Sequence, residues 1–217
     1  MSFFCRQIFL SFHIGNLFSL PTFMWNNFTV TIERKTWNEP FLYNNKTLDC
    51  KLIDFWSWCN SDLLNNTLRG KLAEYIIAKA LWIDNTFRVE WDEFDLIYNG
   101  LKIEIKSWAY IQSWEQEKYS NITFIIKPTK DFYSANLMRR SDIYVFAILS
   151  HKDALTINPL NLEHWEFYIL ETSVLNNMLW NQKTISLNTL LNLHPIKSNF
   201  EDLKNHIEQI RLWLIKD

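Results

Sequence analysis

Residues Trp91-Asp92-Glu93-Phe94-Asp95-Leu96-Ile97-Tyr98, then Asn99-Gly100, then Leu101-Lys102-Ile103-Glu104-Ile105-Lys106 decide how this chain is read. Two alternating runs flank an Asn-Gly pair. That is the strongest short-range signal of a β-hairpin, because both residues of the tight turn need positive φ. A two-residue turn sets Tyr98 against Leu101, Ile97 against Lys102, Leu96 against Ile103, Asp95 against Glu104, Phe94 against Ile105 and Glu93 against Lys106. Side chains alternate between the two faces of a strand. One face then carries Phe94, Leu96, Tyr98, Leu101, Ile103 and Ile105, and is expected to be core. The other carries Glu93, Asp95, Ile97, Lys102, Glu104 and Lys106.

Directly opposed residues have Cβ atoms roughly 4.5–5.5 Å apart, and like charges placed so are destabilising. Asp95 opposite Glu104 is therefore an unfavourable choice unless positive charge sits between them. A divalent cation meets that need, since Mg²⁺ takes one or two carboxylates and fills its other positions with water and phosphate oxygens. Lys106, on the same face, could orient or help deprotonate an attacking water, or steady negative charge in a transition state. The alternative is a solvated sheet face in which Lys106 pairs with Glu93, Lys102 neutralises a neighbouring carboxylate, and nothing is bound.

An Asp followed on the next strand by Glu-x-Lys resembles the PD-(D/E)XK nuclease superfamily, over residues 62–150. That resemblance implies an α/β (mixed α+β) fold: a restriction-endonuclease-like core, with a central mixed β-sheet flanked by helices. It also implies an acidic residue on the preceding helix, where Glu74 fits within the apolar run Gly70–Leu81, and a polar extension after the lysine, here Ser107, Trp108, Gln112 and Trp114. On this likeness Asp95 and Glu104 are ligands for Mg²⁺ or Mn²⁺, with Glu74 an auxiliary carboxylate at the metal. Lys106 is the catalytic lysine and Gln112 a helper. The proline that names the motif is absent, with Phe94 before Asp95. Asp92 is a rival first acid, but the register puts it on the apolar face. Glu74 has its own alternative, a structural bond to Lys71, Lys79 or a backbone amide. The implied activity is metal-dependent hydrolysis of phosphodiester bonds in nucleic acid, with DNA the expected substrate, in restriction, defence or mobile-element biology. Such nucleases often pair to cut two strands, so a homodimer is a further possibility. The alternative function is a non-catalytic nucleic-acid-binding or assembly module that kept the fold.

Composition sets the bounds. At 217 residues, 48% hydrophobic and 16% aromatic, the chain can build a substantial core. One domain over residues 25–217 is expected, with an N-terminal extension over 1–24. That extension is read as following an upstream start codon, with Met24 the true beginning, or as a hydrophobic arm for dimer packing; export is not expected. A net charge of -2 and a pI near 6.2 are not the profile of a protein that coats nucleic acid non-specifically, and count mildly against a DNA-binding role. A local basic surface suffices for a nuclease, and Lys118, Lys127, Lys130, Arg139 and Arg140 provide a candidate patch, with Ser107 as a possible phosphate partner. A solvated loop explains the same residues. Three cysteines without paired spacing fit a reducing cytoplasm, and five scattered histidines give no zinc pattern. No run reaches the roughly 18–20 apolar residues that span a bilayer.

Beyond the hairpin, a strand is expected at Phe28–Glu33 and few helix signals occur over residues 25–60. A helix is expected from Ser61 or Asp62 towards Trp82, and a strand or its approach at Phe87–Glu90. Ile122–Ile126, Ile143–Leu149 and Trp165–Leu170 read as strands, and residues 186–193 and 200–214 as closing helices. Trp108, Tyr110 and Trp114 are read as core rather than as platforms for bases.

Overall fold

The computed structural model describes residues 31–85, 87–89, 93–130 and 137–215, without the side chain of Lys130. The expectations for residues 1–24, for residues 28–30 of the Phe28–Glu33 strand, and for Glu90 and Asp92 lie outside the described residues. The chain divides into Met1–Glu33 and Arg34–Asp217, and every regular element below belongs to the second unit. In order these are β1 (Pro40–Tyr43), β2 (Lys46–Lys51), α1 (Leu52–Cys59), α2 (Asn66–Leu81), β3 (Leu96–Tyr98), β4 (Leu101–Ala109), β5 (Thr123–Ile125), β6 (Thr129–Lys130) and β7 (Leu137–Met138). There follow β8 (Ile143–Leu149), a 3₁₀ turn (Leu162–His164), β9 (Trp165–Glu171), α3 (Thr172–Leu179), β10 (Thr184–Ser186), α4 (Leu187–Asn192), β11 (Ile196–Ser198) and α5 (Leu203–Leu214).

The decisive hairpin forms in the expected register. Leu96 pairs with Ile103, Ile97 with Lys102 and Tyr98 with Leu101, around Asn99 at φ 47° and Gly100 at φ 85°. Regular pairing then stops. The Asp95 amide donates to the Ile103 carbonyl (3.1 Å), while the Asp95 carboxylate, in place of a backbone carbonyl, accepts from the Ile105 amide at 2.6 Å. Beyond that point the expected pairs are not made. Phe94 leaves the core face and is half-buried, with Lys102 Nζ 5.6 Å from its ring centroid, and Glu93 pairs with Arg140 rather than Lys106. A side-chain acceptor substituting in the ladder diverts the chain, and the face alternation is lost with it.

β4 continues into a five-stranded mixed sheet of order β11-β9-β8-β4-β3, in which only β4 and β8 run parallel. All seven residues of β8 are buried, as an uninterrupted apolar run requires in a strand covered on both faces. On one face, Ala73, Ile76 and Ile77 of α2 and Leu203, Ile207 and Ile210 of α5 pack against Ile103, Ile105, Val145 and Phe167. On the other, Phe124, Ile126, Leu175 and Ile185 cover Phe146, Ile148 and Tyr168. The fold is the expected mixed α/β one, a central mixed sheet flanked by helices.

Several boundaries differ. α2 begins after Asn65, whose side chain accepts from the Thr67 amide at 3.0 Å, and not at Ser61 or Asp62. Residues 31–33 and 87–89 are not strand. The segment with few helix signals holds α1, where the Lys51 amide donates to Asp54 Oδ2 at 2.7 Å.

Candidate active site

Because Leu101, Ile103 and Ile105 face the α2 side of the sheet, Glu104 and Lys106 project from the opposite face of β4. Their side chains are about one-quarter exposed and form an ion pair between Lys106 Nζ and Glu104 Oε1. Asp95 joins them from the end of β3, its carboxylate fixed by the charge-assisted bond from the Ile105 amide. Burial pushes the Glu104 carboxyl up; Lys106 opposes this, and the negative charges of Asp95 and Glu74 add to it. The structure thus brings Asp95, Glu104 and Lys106 together, with Glu74 acting on Glu104 only as the weakest of these influences.

Glu74 stands on α2. Both of its oxygens accept from Arg88, Oε2 from Nε and Oε1 from NH2 (3.1 Å), so its cationic neighbour comes from the loop after α2. Lys79 pairs instead with Asp84 at 3.1 Å. Among the described residues, no group of three His, Cys, Asp or Glu side chains is placed to hold a metal ion. Asp95 and Glu104 still fit Mg²⁺ or Mn²⁺ chemically, because such ions settle for one or two carboxylates and complete their shell with water and phosphate oxygens. Burial first, and repulsion from its acidic neighbours next, raise Glu104, and a bound cation would relieve both.

Two members of the site escaped sequence reasoning. Tyr144 is the register partner of Glu104 across the parallel β4–β8 pair, and it is buried. Its hydroxyl is pushed up to about 12 by burial first and by Glu104 next, with Asp95 adding, so it stands beside the acids as a neutral donor. β8 is legible as a strand, but nothing local announces which strand it joins. Arg88 is the second, a loop cation visible only once α2 and its following loop are folded.

The remaining candidates scatter. Gln112 is buried: its Oε1 accepts from Arg69 NH1 at 3.0 Å and its Nε2 donates to the Ala109 carbonyl at 2.8 Å, so it braces α2 against the segment after β4. Ser107 alternates to the α2 side, away from Lys106. Arg139 corrects the expected surface patch. It is buried, and its guanidinium donates to the Ile126 and Leu179 carbonyls and to Asn176 Oδ1, an internal clamp. Arg140 pairs with Glu93, and Lys118 and Lys127 are both exposed. Lys130's side chain lies outside the description. Trp108 and Tyr110 pack against the second core, whereas Trp114 is exposed.

A mixed sheet with Asp95, Glu104 and Lys106 beside its single parallel strand pair, covered by α2, is an α+β nuclease-like core. A model of the family described as bacteriophage T4 endonuclease IV matches residues 29–189, which is well over half of the chain and includes every member of the cluster. The chain belongs to that family, a family of nucleases. No curated protein matches the sequence.

Proposed function

We propose that this protein is a metal-dependent endonuclease of the PD-(D/E)XK type that hydrolyses phosphodiester bonds of DNA. Family membership supports a nuclease acting on DNA. The observation that carries the finer reading is the convergence of Asp95, Glu104 and Lys106 on one side of the β3–β4 hairpin. A bound Mg²⁺ or Mn²⁺ would polarise the scissile phosphate and stabilise the leaving oxygen. Asp95 and Glu104 are the residues to hold it. Lys106, paired to Glu104, presents positive charge where an attacking water and the transition-state phosphate meet. Glu74 supports the carboxylate pair once a substrate phosphate competes for Arg88. Gln112 acts at one remove, by fixing α2 through Arg69. A mobile-element setting agrees with the phage name of the family.

Cleavage of plasmid, single-stranded DNA and RNA with Mg²⁺ or with EDTA tests this, using Asp95→Ala and Lys106→Ala as controls. Each substitution is expected to lower the rate by about 10²-fold or more. Equal cleavage by either variant refutes the site. Binding of DNA without cleavage under any metal would favour the non-catalytic module.

A further inference from the structure

Next to the carboxylates, a cavity of about 420 Å³ lies between α2 and the segment that leads into β3, with Glu74 and Asp95 in its wall. Its apolar side is aromatic: Tyr75 and Phe87, about half-exposed, and Phe94, displaced here from the expected core face. Cations complete the wall. Arg34 is steadied by a 2.8 Å bond from NH1 to the Asp84 carbonyl, Lys71 stands on α2, and Arg88 lies against Glu74. Asp84, the other acid of the wall, is paired with Lys79. Exposed rings beside guanidinium and ammonium groups, in a concavity of small-ligand size, suit a molecule that is planar and apolar at one end and anionic at the other.

We propose that this cavity binds one nucleotide of the DNA strand, beside the bond that is cut. Its base lies against Phe87 and Tyr75, and its phosphate is met by Arg34 and Lys71. Arg88 then lies between two acceptors, the incoming phosphate and Glu74, so filling the cavity is coupled to the carboxylates beside it. The proposal rests on the nuclease reading for the nature of the ligand and for its place beside the reacting bond. Aromatic stacking is sequence-tolerant because every base has a π-face, so the cavity should accept all four bases, with differences among them.

The test is calorimetric titration of each of the four deoxynucleoside 5′-monophosphates in EDTA, which keeps metal and catalysis out of the measurement. Wild type is expected to bind in the millimolar range or tighter, Phe87→Ala and Tyr75→Leu about tenfold more weakly, and Lys197→Ala, outside the cavity wall, as wild type. With DNA and Mg²⁺, the two cavity variants should raise KM with little change in kcat. Urea midpoints confirm that each variant is folded. No saturable binding by wild type, or unchanged binding by folded Phe87→Ala and Tyr75→Leu, overturns the proposal even if the protein cuts DNA. Binding that depends on Phe87 in a protein that never cuts would uphold the cavity and remove the nuclease reading.

Discussion

Replacing Glu104 by Gln should make the metal-free protein more stable while abolishing its response to metal. Folding takes this carboxylate partly out of water and sets it near Asp95 and Glu74; those effects outweigh Lys106 and hold its carboxyl above the ordinary 4.5. The sign follows. A carboxyl raised on folding contributes stability while protonated, below 4.5, and that contribution is lost as pH rises through the higher folded value. At neutral pH the ionised group therefore opposes folding, and an amide of nearly the same shape does not. Relieving an unfavourable functional site yields about 0.5–2 kcal/mol in general. Part of that is offset here because Lys106 loses its partner, and the side chain is about one-fifth exposed, so about 1 kcal/mol is expected. In a chain of 217 residues this raises Tm by about 2–4 °C. Thermal unfolding in EDTA at neutral pH measures it, and the difference should vanish below 4.5. Mg²⁺ at about a hundred times its Kd should add about 2.7 kcal/mol to wild type and little to the variant. A variant less stable than wild type in EDTA at neutral pH, or one stabilised equally by Mg²⁺, would refute the reasoning.

The same electrostatics place the acid limb of Mg²⁺ affinity, measured at sub-saturating metal, above the ordinary carboxylate range, because Glu104 must ionise to take the ion, and Lys106→Ala should show that limb displaced further upward. A limb at the usual carboxylate position in both proteins would count against Glu104. Arg139→Met should destabilise by about 3 kcal/mol in urea unfolding, since buried carbonyls lose their donor, while DNA affinity per folded molecule stays unchanged; the opposite pattern would return Arg139 to a phosphate-contacting role. Gly100→Ala meets no atom within 4 Å yet sits at φ 85°, so it should cost about 1–2 kcal/mol from backbone conformation alone, read from the shift in urea midpoint.

What the sequence made legible followed local rules. Asn99-Gly100 specifies its own turn, and period-two alternation then sorts Leu96, Tyr98, Leu101, Ile103 and Ile105 to the core without any distant information. The apolar run of β8 marks a strand with both faces covered, and the stripe through Leu203, Ile207 and Ile210 marks α5. The failures lie where a side chain overrides the backbone pattern or where the partner is remote. Extrapolating the ladder put Phe94 in the core, but the Asp95 carboxylate takes the Ile105 amide and ends the alternation one residue earlier. Arg139 looks like any surface arginine in sequence; only the approach of Ile126, Asn176 and Leu179 turns it into an internal clamp. Tyr144 was hidden for a third reason, because a parallel register is fixed by the crossover between β4 and β8, and no turn chemistry reports it.

These differences divide the site into two kinds of support. Glu104 and Lys106 stand on β4, which pairs with β8 from Ile103 to Ala109 and is packed beneath by the α2–α5 core. Their backbone cannot shift without breaking the sheet. Asp95 and Glu74 are placed by side-chain contacts instead, one to the Ile105 amide and the other to Arg88. Anionic substrate and a cation would compete for those very contacts: a phosphate for Arg88, a metal for the Asp95 oxygens. The adjustable half of the site is therefore the half that borders the nucleotide cavity, whereas the half carrying the lysine is already in place before substrate arrives. Substitutions in the cavity wall should act on binding and site assembly, and substitutions on β4 on the chemical step itself.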